Sequence, residues 1–337
     1  MSMNLSWLED FMALIATGNF SRAAEERHMS QPAFSRRIRA LEEWLGTELF
    51  DRSSQPAKLT AAGEWFRDTA HELMARVNRI PGEAKAVAES HSTTLRFAST
   101  HALSFTFLTG WLHALESRTS VGRITLMSDV LARCEALLLE SQVQFLMCHA
   151  HPASSSQLMA QHFPFVRVGG DLLIPVSSPT AAGDARYPLE RATPGAPLPL
   201  LGYSSASGLG RILRDVLGAA LERMPAHSVF EAHLASVLRT MAMDGRGLAW
   251  LPRSLIADDL ACGRLIESAP QDWHVPLEIR LYRSRSPMGQ AAEDFWHAVC
   301  TAVSWPVAAD DLMVAAAATT TTPRSHPGPR RPGPAAG

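Results

Sequence analysis

Ser30-Gln31-Pro32-Ala33-Phe34-Ser35-Arg36-Arg37-Ile38-Arg39-Ala40-Leu41-Glu42 is the stretch whose reading decides the fold of the N-terminal part of this chain. Phe34, Ile38, Leu41 and Leu45 recur at i, i+4, i+7 and i+11, the spacing of one face of an α-helix. Ser30 precedes the run as an N-cap, and Pro32 falls in the first turn, where its missing N–H does no harm. Off the apolar stripe lie Gln31, Ser35, Arg36 and Arg39, with Arg37 on a flank. Three arginines and no acid stand between Gln31 and Arg39, and the acids begin only at Glu42 and Glu43. That face suits a major groove, where arginine pairs with guanine edges, glutamine with adenine, and serine with phosphate. A solvated basic surface helix would carry the same pattern, so the flanking residues decide between the two.

Upstream, Trp7, Leu8, Phe11, Leu14 and Ile15 form an apolar helical stripe that Gly18 ends. Ser21 then reads as the N-cap of a short second helix through Ala23 and Ala24 to about Arg27, and His28-Met29 makes a tight turn into the basic helix. Short helix, turn and basic helix together read as a helix-turn-helix. Downstream, Leu49 to Thr60 reads as a β wing, in which Arg52 and Lys58 are positioned to meet phosphate. Such contacts position a protein on DNA without specifying sequence.

These residues resemble the LysR-type transcriptional regulators. The resemblance is carried by Asn19-Phe20-Ser21-Arg22-Ala23-Ala24, by Met29 through Glu42, by Leu49-Phe50-Asp51-Arg52, and by Leu59-Thr60 with Gly63. It implies a winged helix-turn-helix, a linker helix that dimerises, a two-lobed α/β effector domain like that of periplasmic binding proteins, and binding to double-stranded promoter DNA as an oligomer, commonly a tetramer. The DNA-binding set is then Ser30, Gln31, Pro32, Ser35, Arg36, Arg37, Arg39, Arg52 and Lys58. Within the family the wording is similar to hypochlorite-responsive members, on the recognition helix, the proline-bearing wing around Pro56, and Gly247-Leu248-Ala249-Trp250-Leu251-Pro252. Those members imply methionine oxidation as the trigger, and sensing methionines where this chain has Leu209 and Leu234.

The reading divides the chain into a DNA-binding domain over 1–63, a linker helix over 64–90, an effector domain over 91–306 and, on its Ala-, Thr-, Pro- and Gly-rich composition, a disordered tail over 307–337. In the linker, Pro81-Gly82 predicts that the helix ends or kinks near Ile80. Leu73, Val77 and Ile80 remain for a dimer seam. In the effector domain, Leu95–Ala98, Ile124–Met127 and Val143–Cys148 read as strands alternating with helices. Leu172–Val176 reads as a crossing to a second lobe, where Leu198–Tyr203, Val229-Phe230 and Leu248–Leu251 repeat the pattern. Leu277–Tyr282 returns to the first lobe, and a last helix runs over about Met288–Val303.

Open α/β sheets bind ligands beyond the carboxyl ends of their strands. Two hydroxyl-rich segments stand there: Ser99, Thr100, His101 and Ser104 after one strand, and Ser204, Ser205 and Ser207 after another. Each opens a helix, whose free N–H groups favour anions, although plain N-capping explains any one serine as well. The expected signal is therefore an oxidant or a small molecule, with an ordinary small-anion effector and no redox role as the alternative. For an oxidant, Met127, Met147, Met241 and Met243 read as core or core-adjacent, and Cys148 beside His149 as a second redox candidate.

The bulk composition agrees. The chain has 337 residues, 46% hydrophobic and 19% charged, enough for two packed domains. Its net charge of −2 requires any DNA site to be local. Cys134, Cys148, Cys262 and Cys300 show neither a C-x-x-C pair nor zinc spacing, and read as reduced cytosolic thiols. No signal peptide or membrane span is legible, so a cytoplasmic protein without a membrane partner is expected. Gly202-Tyr203-Ser204-Ser205-Ala206 starts like a nucleophile elbow but has Ala206 where the last glycine belongs. With no phosphate-loop or zinc motif either, the expectation is a non-enzyme without cofactor or metal.

Overall fold

The computed structural model describes residues 3–51, 56–88, 93–116 and 122–303. The N-terminal unit consists of α1 (Leu5–Thr17), α2 (Phe20–Glu26), α3 (Gln31–Leu45) and a wing of β1 (Phe50–Asp51) and β2 (Lys58–Leu59), followed by α4 (Ala61–Ala88). Gly18 ends α1 in the left-handed region at φ 61°, its N–H bonded to Leu14 O. His28, at φ 53°, makes the turn between α2 and α3. Leu8, Phe11, Leu14, Phe34, Ile38, Leu41, Phe50 and Phe66 bury together, joining the apolar stripes of three helices to the wing. Phe11 meets Phe50 and Phe66 at ring-centroid distances of 5.4 and 5.1 Å.

Two local expectations change. Asn19, not Ser21, caps α2: its extended backbone leaves its carboxamide oxygen free to accept the N–H groups of Ser21 and Arg22. Ser30 occupies the N-cap position of α3, but its side chain makes no capping hydrogen bond. The wing pairs antiparallel, with Phe50 opposite Leu59 and Asp51 opposite Lys58. Arg52 lies outside the described residues.

Of the two outcomes expected for the linker, an end or a kink near Ile80, the end does not occur: α4 runs 28 residues and continues through Pro81. Proline removes one backbone donor from a helix, and here the turn around it is held from outside. Gly82 backs onto the carbonyls of Glu140 and Ser141. Glu83 pairs with Arg76 and Arg79 and accepts the hydroxyl of Ser286.

The effector domain continues with β3 (Leu95–Thr100), α5 (His101–Thr106), α6 (Leu108–Glu116), β4 (Ile124–Asp129), α7 (Leu131–Leu139), β5 (Phe145–Ala150), a short α8 (Gln157–Ala160) and β6 (Phe165–Ser177). The second lobe holds β7 (Leu198–Tyr203), α9 (Gly208–Arg223), β8 (Ala226–Ala232), α10 (Ala235–Met243), β9 (Ala249–Pro252), α11 (Arg253–Ala261) and β10 (Ile266–Glu267). The chain returns by β11 (Val275–Arg283) and ends its described part in α12 (Gln290–Val303).

One sheet, ordered β10-β6-β11-β5-β3-β4 with β9 also on β6, runs through both lobes. The crossing strand is longer than the Leu172–Val176 expected. β6 pairs with β11 from Phe165 to Leu173, then with β9 and β10 from Leu173 to Ser177. β7 and β8 form a parallel pair, joined to the chain entering β9 by the Leu200–Leu248 bridge. The first lobe packs its sheet around Phe97, Phe145 and Phe295 on one side and Leu138, Leu146 and Phe163 on the other. The second packs around Leu238, Trp250 and Ile256.

Candidate nucleic-acid interface and effector cleft

Burial of Phe34, Ile38 and Leu41 fixes which side of α3 faces out. Ser30, Gln31, Pro32, Arg36 and Arg39 are exposed, and Ser35 is partly so. Gln31 Nε2 donates to Ser35 Oγ at 3.0 Å, so the amide and hydroxyl one turn apart form a single polar ridge. That ridge borders an open concavity of about 610 Å³, walled by Thr17 to Arg22 and by Pro56 and Ala57 at the foot of the wing. Lys58 is exposed on the wing strand.

Arg37 differs from the rest of this set in being engaged within the domain. Its Nε lies 2.7 Å from Oδ2 of Asp10, a carboxylate with no solvent exposure, and Arg27 Nε holds the other oxygen at 2.9 Å. The flank position turns the guanidinium back onto α1, because leaving Asp10 buried without its cations would be costly.

In the effector domain a cleft is lined by Thr100, His101, Ala102, Asp129, Val130, Leu131, His149, Ser207, Gly208, Leu209, His233, Leu234 and Ala235. It is narrow, with a cavity volume of about 50 Å³. Of the serine-rich segments read from the sequence, only Thr100, His101 and Ser207 line it. Ser99 is wholly buried in β3. Ser104 is buried against Ser128, Oγ to Oγ at 2.9 Å, and bonds back to Thr100 O. Ser204 and Ser205 sit in the turn before α9 and do not line the cleft. One turn of α5 separates Thr100 from Ser104, and the β7–α9 turn aims only its last serine inward.

The sequence reading missed Asp129, His149 and His233. The strand-end rule that picked the residues after β3 and β7 applies equally to β4 and β5, which carry Asp129 and His149, and to β8, which His233 directly follows. Leu209 and Leu234, where the resemblance implied methionines, do line the cleft.

Four helices begin at this cleft. Thr100, Val130, Ser207 and Leu234 are the N-caps of α5, α7, α9 and α10. Only Ser207 caps its own helix with its side chain, accepting Gly210 N–H. Thr100 Oγ1 is buried and has no hydrogen-bond partner among the described residues. His101 Nδ1 is 3.1 Å from Ser128 Oγ. Behind the cleft, His149 Nε2 lies 3.2 Å from Asp171 Oδ2, and Asp171 also accepts the hydroxyl and N–H of Ser254 in the second lobe. Burial works to raise Asp171, but the bonds from His149, Ser254 and Leu172 N–H outweigh it and hold the carboxyl below the usual aspartate range.

Burial disfavours the cysteine candidate. Cys148 is buried, and burial pushes its thiol far above the ordinary range; Cys134 is pushed up to about 12. Met147 is fully buried, but Met127 is 42% exposed on edge strand β4, outside any core. Among the described residues no helix is long and apolar enough to cross a membrane, and no group of three or more His, Cys, Asp or Glu side chains could hold a metal.

A winged helix-turn-helix joined by a long helix to a two-lobed α/β domain with a cleft between its lobes defines a DNA-binding regulator with a sensory half. Residues 5–64 match the model of the bacterial regulatory helix-turn-helix proteins of the lysR family, and residues 88–303 match that of the LysR substrate binding domain. The chain belongs to the LysR family of transcriptional regulators. It is 30% identical over 297 residues to the HTH-type transcriptional regulator YjiE of Escherichia coli K12, covering 88% of this chain and 93% of that one. Full-length HypT of Salmonella typhimurium, described as a hypochlorite-specific LysR-type regulator, is 29% identical with a TM-score of 0.53, covering 90% of this chain and all of that one. Vibrio fischeri DarR, solved in complex with DNA, is 27% identical with a TM-score of 0.52, covering 89% and 99%.

Proposed function

We propose that this regulator reads promoter DNA with Gln31, Ser35, Arg36 and Arg39, anchors on phosphate with Lys58, and is switched by a small anion in the cleft between its lobes. The observation that carries the signal is the convergence of four helix N-termini on that cleft, three without a side-chain cap, beside the unpartnered hydroxyl of Thr100. Each uncapped N-terminus presents spare N–H donors and favours negative charge by ~0.3–1 kcal/mol. Leu131, Leu209 and Leu234 add an apolar wall, which fits a small organic anion such as a carboxylate. Self-association through the exposed apolar residues of α4 completes the proposal, in keeping with the family.

Hypochlorite is the second reading. It is favoured by the likeness to HypT over almost the whole chain. Against it stand leucine at 209 and 234 in the cleft wall and the buried, weakly acidic Cys148. The deciding experiment is a promoter reporter in cells carrying the parent or Thr100→Val, exposed in turn to a panel of small carboxylates, to halides and to hypochlorite. A response of the parent to one anion, reduced about tenfold or more by Thr100→Val, supports the cleft reading, since removing one charge-assisted bond costs ~1.5–3 kcal/mol. A response to hypochlorite alone, equal in both proteins, overturns it.

A further inference from the structure

We infer that α7 is the lever by which the cleft acts on the linker helix. One end of α7 is in the cleft: its N-cap Val130 and first residue Leu131 are lining residues. The other end touches α4. A methyl group at Gly82 would come within 2.4 Å of Glu140 O and 2.6 Å of Ser141 O, so the linker backbone rests directly on the residues that end α7. Ser141 takes a left-handed φ of 56° there. Its hydroxyl lies 2.9 Å from Ser286 Oγ, which donates to Glu83 Oε1 at 3.3 Å. The contact falls beside Pro81, the residue at which α4 lacks a backbone donor and bends most readily.

Along its length α7 is also what the second lobe presses on. A methyl group at Gly208, the first residue of α9, would meet Leu131 Cδ2 at 2.5 Å. Arg211 of α9 reaches Glu135 of α7, Nη2 to Oε1 at 3.5 Å, and Glu135 is otherwise buried. Leu131, Cys134, Leu137 and Leu138 bury the inner side of α7 against the sheet. A helix of nine residues, ~13 Å long, packed this way moves as a body and does not absorb a push at one end. Movement of the second lobe on ligand binding would therefore shift Glu140 and Ser141 against Gly82.

A second contact between the lobes bypasses α7. Ser154 Oγ donates to Asp215 Oδ2 at 2.6 Å, from the segment between β5 and α8 to α9. This gives an internal control. The inference rests on the cleft being the signal site, but its test uses the free full-length protein, so its failure is distinct from a failure of the reporter experiment. Amide hydrogen exchange is measured over residues 78–88 in the parent, Arg211→Gln and Asp215→Asn. Arg211→Gln, which strips Glu135 of its cation, is expected to speed exchange there by about fivefold or more, the factor of a modest local destabilisation. Asp215→Asn is expected to leave it within about twofold of the parent, since surface changes away from a coupled element have small effects. No change with Arg211→Gln, or an equal change with both variants, overturns the inference.

Discussion

Asp10 Oδ2 lies 2.7 Å from Arg37 Nε, so the recognition helix is tied to α1 by a carboxylate wholly hidden from solvent. The neighbouring Arg36 is exposed. Two adjacent arginines of one helix thus do different work. Arg37→Ala is expected to lower the stability of the DNA-binding domain by ~1–3 kcal/mol, because it leaves part of a buried carboxylate unpaired. Arg36→Ala is expected to leave stability unchanged and to cost ~1–3 kcal/mol of specific affinity. Thermal unfolding together with titration of operator and random DNA checks both. Lys58→Ala should instead weaken both DNAs alike and shorten the salt slope by about one counterion. Unchanged operator affinity in Arg36→Ala would remove it from the groove.

That contrast marks where the sequence stops being informative. Helical spacing placed Phe34, Ile38 and Leu41 inside because burial follows period 3.6 along one helix. It could place Arg37 only on a flank, because its fate depends on Asp10, which lies 27 residues earlier. The cleft repeats the point. Strand-end logic located Thr100, His101 and Ser207, but Ser104 lies one helical turn too far along and is spent on Ser128. Asp129, His149 and His233 come from three different strand ends and meet only once the two lobes are assembled. Proline at 81 was legible as a break, yet the carbonyls against Gly82 and the ion pairs of Glu83 that carry α4 past it come from distant chain and from side-chain geometry.

Leu73, Ile80 and Val87 repeat every seven residues along α4 and are 39%, 51% and 75% exposed. A seven-residue apolar repeat on a long helix is the seam of a helix pair. Ile80→Asp combined with Leu73→Asp is expected to shift the full-length protein to a smaller species in light scattering at micromolar concentration. It should leave the helix content by circular dichroism unchanged, since both positions are solvent-facing in the single chain. A parent protein that is already monomeric would rule out this seam.

Asp171 and Glu135 should pull stability in opposite directions with pH. Hydrogen bonds hold Asp171 below its usual value despite burial. Its contribution is therefore complete above the ordinary aspartate pKa of about 3.9 and is lost as pH falls through the lower folded value. Burial raises Glu135 in spite of Arg211. Its contribution is complete below the ordinary glutamate pKa of about 4.3 and is lost as pH rises through the raised folded value. Asp171→Asn should lower the melting temperature at neutral pH and flatten the acid limb. Glu135→Gln should raise it at neutral pH and change little near pH 4. Melting curves from about pH 3 to 8 check both, and a neutral-pH loss in Glu135→Gln would mean that the Arg211 pair outweighs the burial of its carboxylate.

Graded oxidation separates a cleft ligand from hypochlorite as the signal. Thiolates react and thiols do not, and burial pushes Cys134 to about 12 and Cys148 higher still. Both should resist hypochlorite and alkylating reagents at neutral pH while the protein is folded, whereas exposed Cys262 should react. Met127 and Met159, at 42% and 41% exposure, should become sulfoxides well before Met147, which has none. Met127 faces solvent on edge strand β4 of the single chain, so on the cleft reading its oxidation disturbs no packing within the chain and leaves the linker helix unmoved. Mass spectrometry should therefore find Met127 and Met159 fully oxidised at a dose that leaves operator affinity within about twofold of the untreated protein, a change below ~0.5 kcal/mol. A loss or gain of affinity that tracks Met127 oxidation and vanishes in Met127→Leu would instead make the edge strand the sensor and hypochlorite the signal.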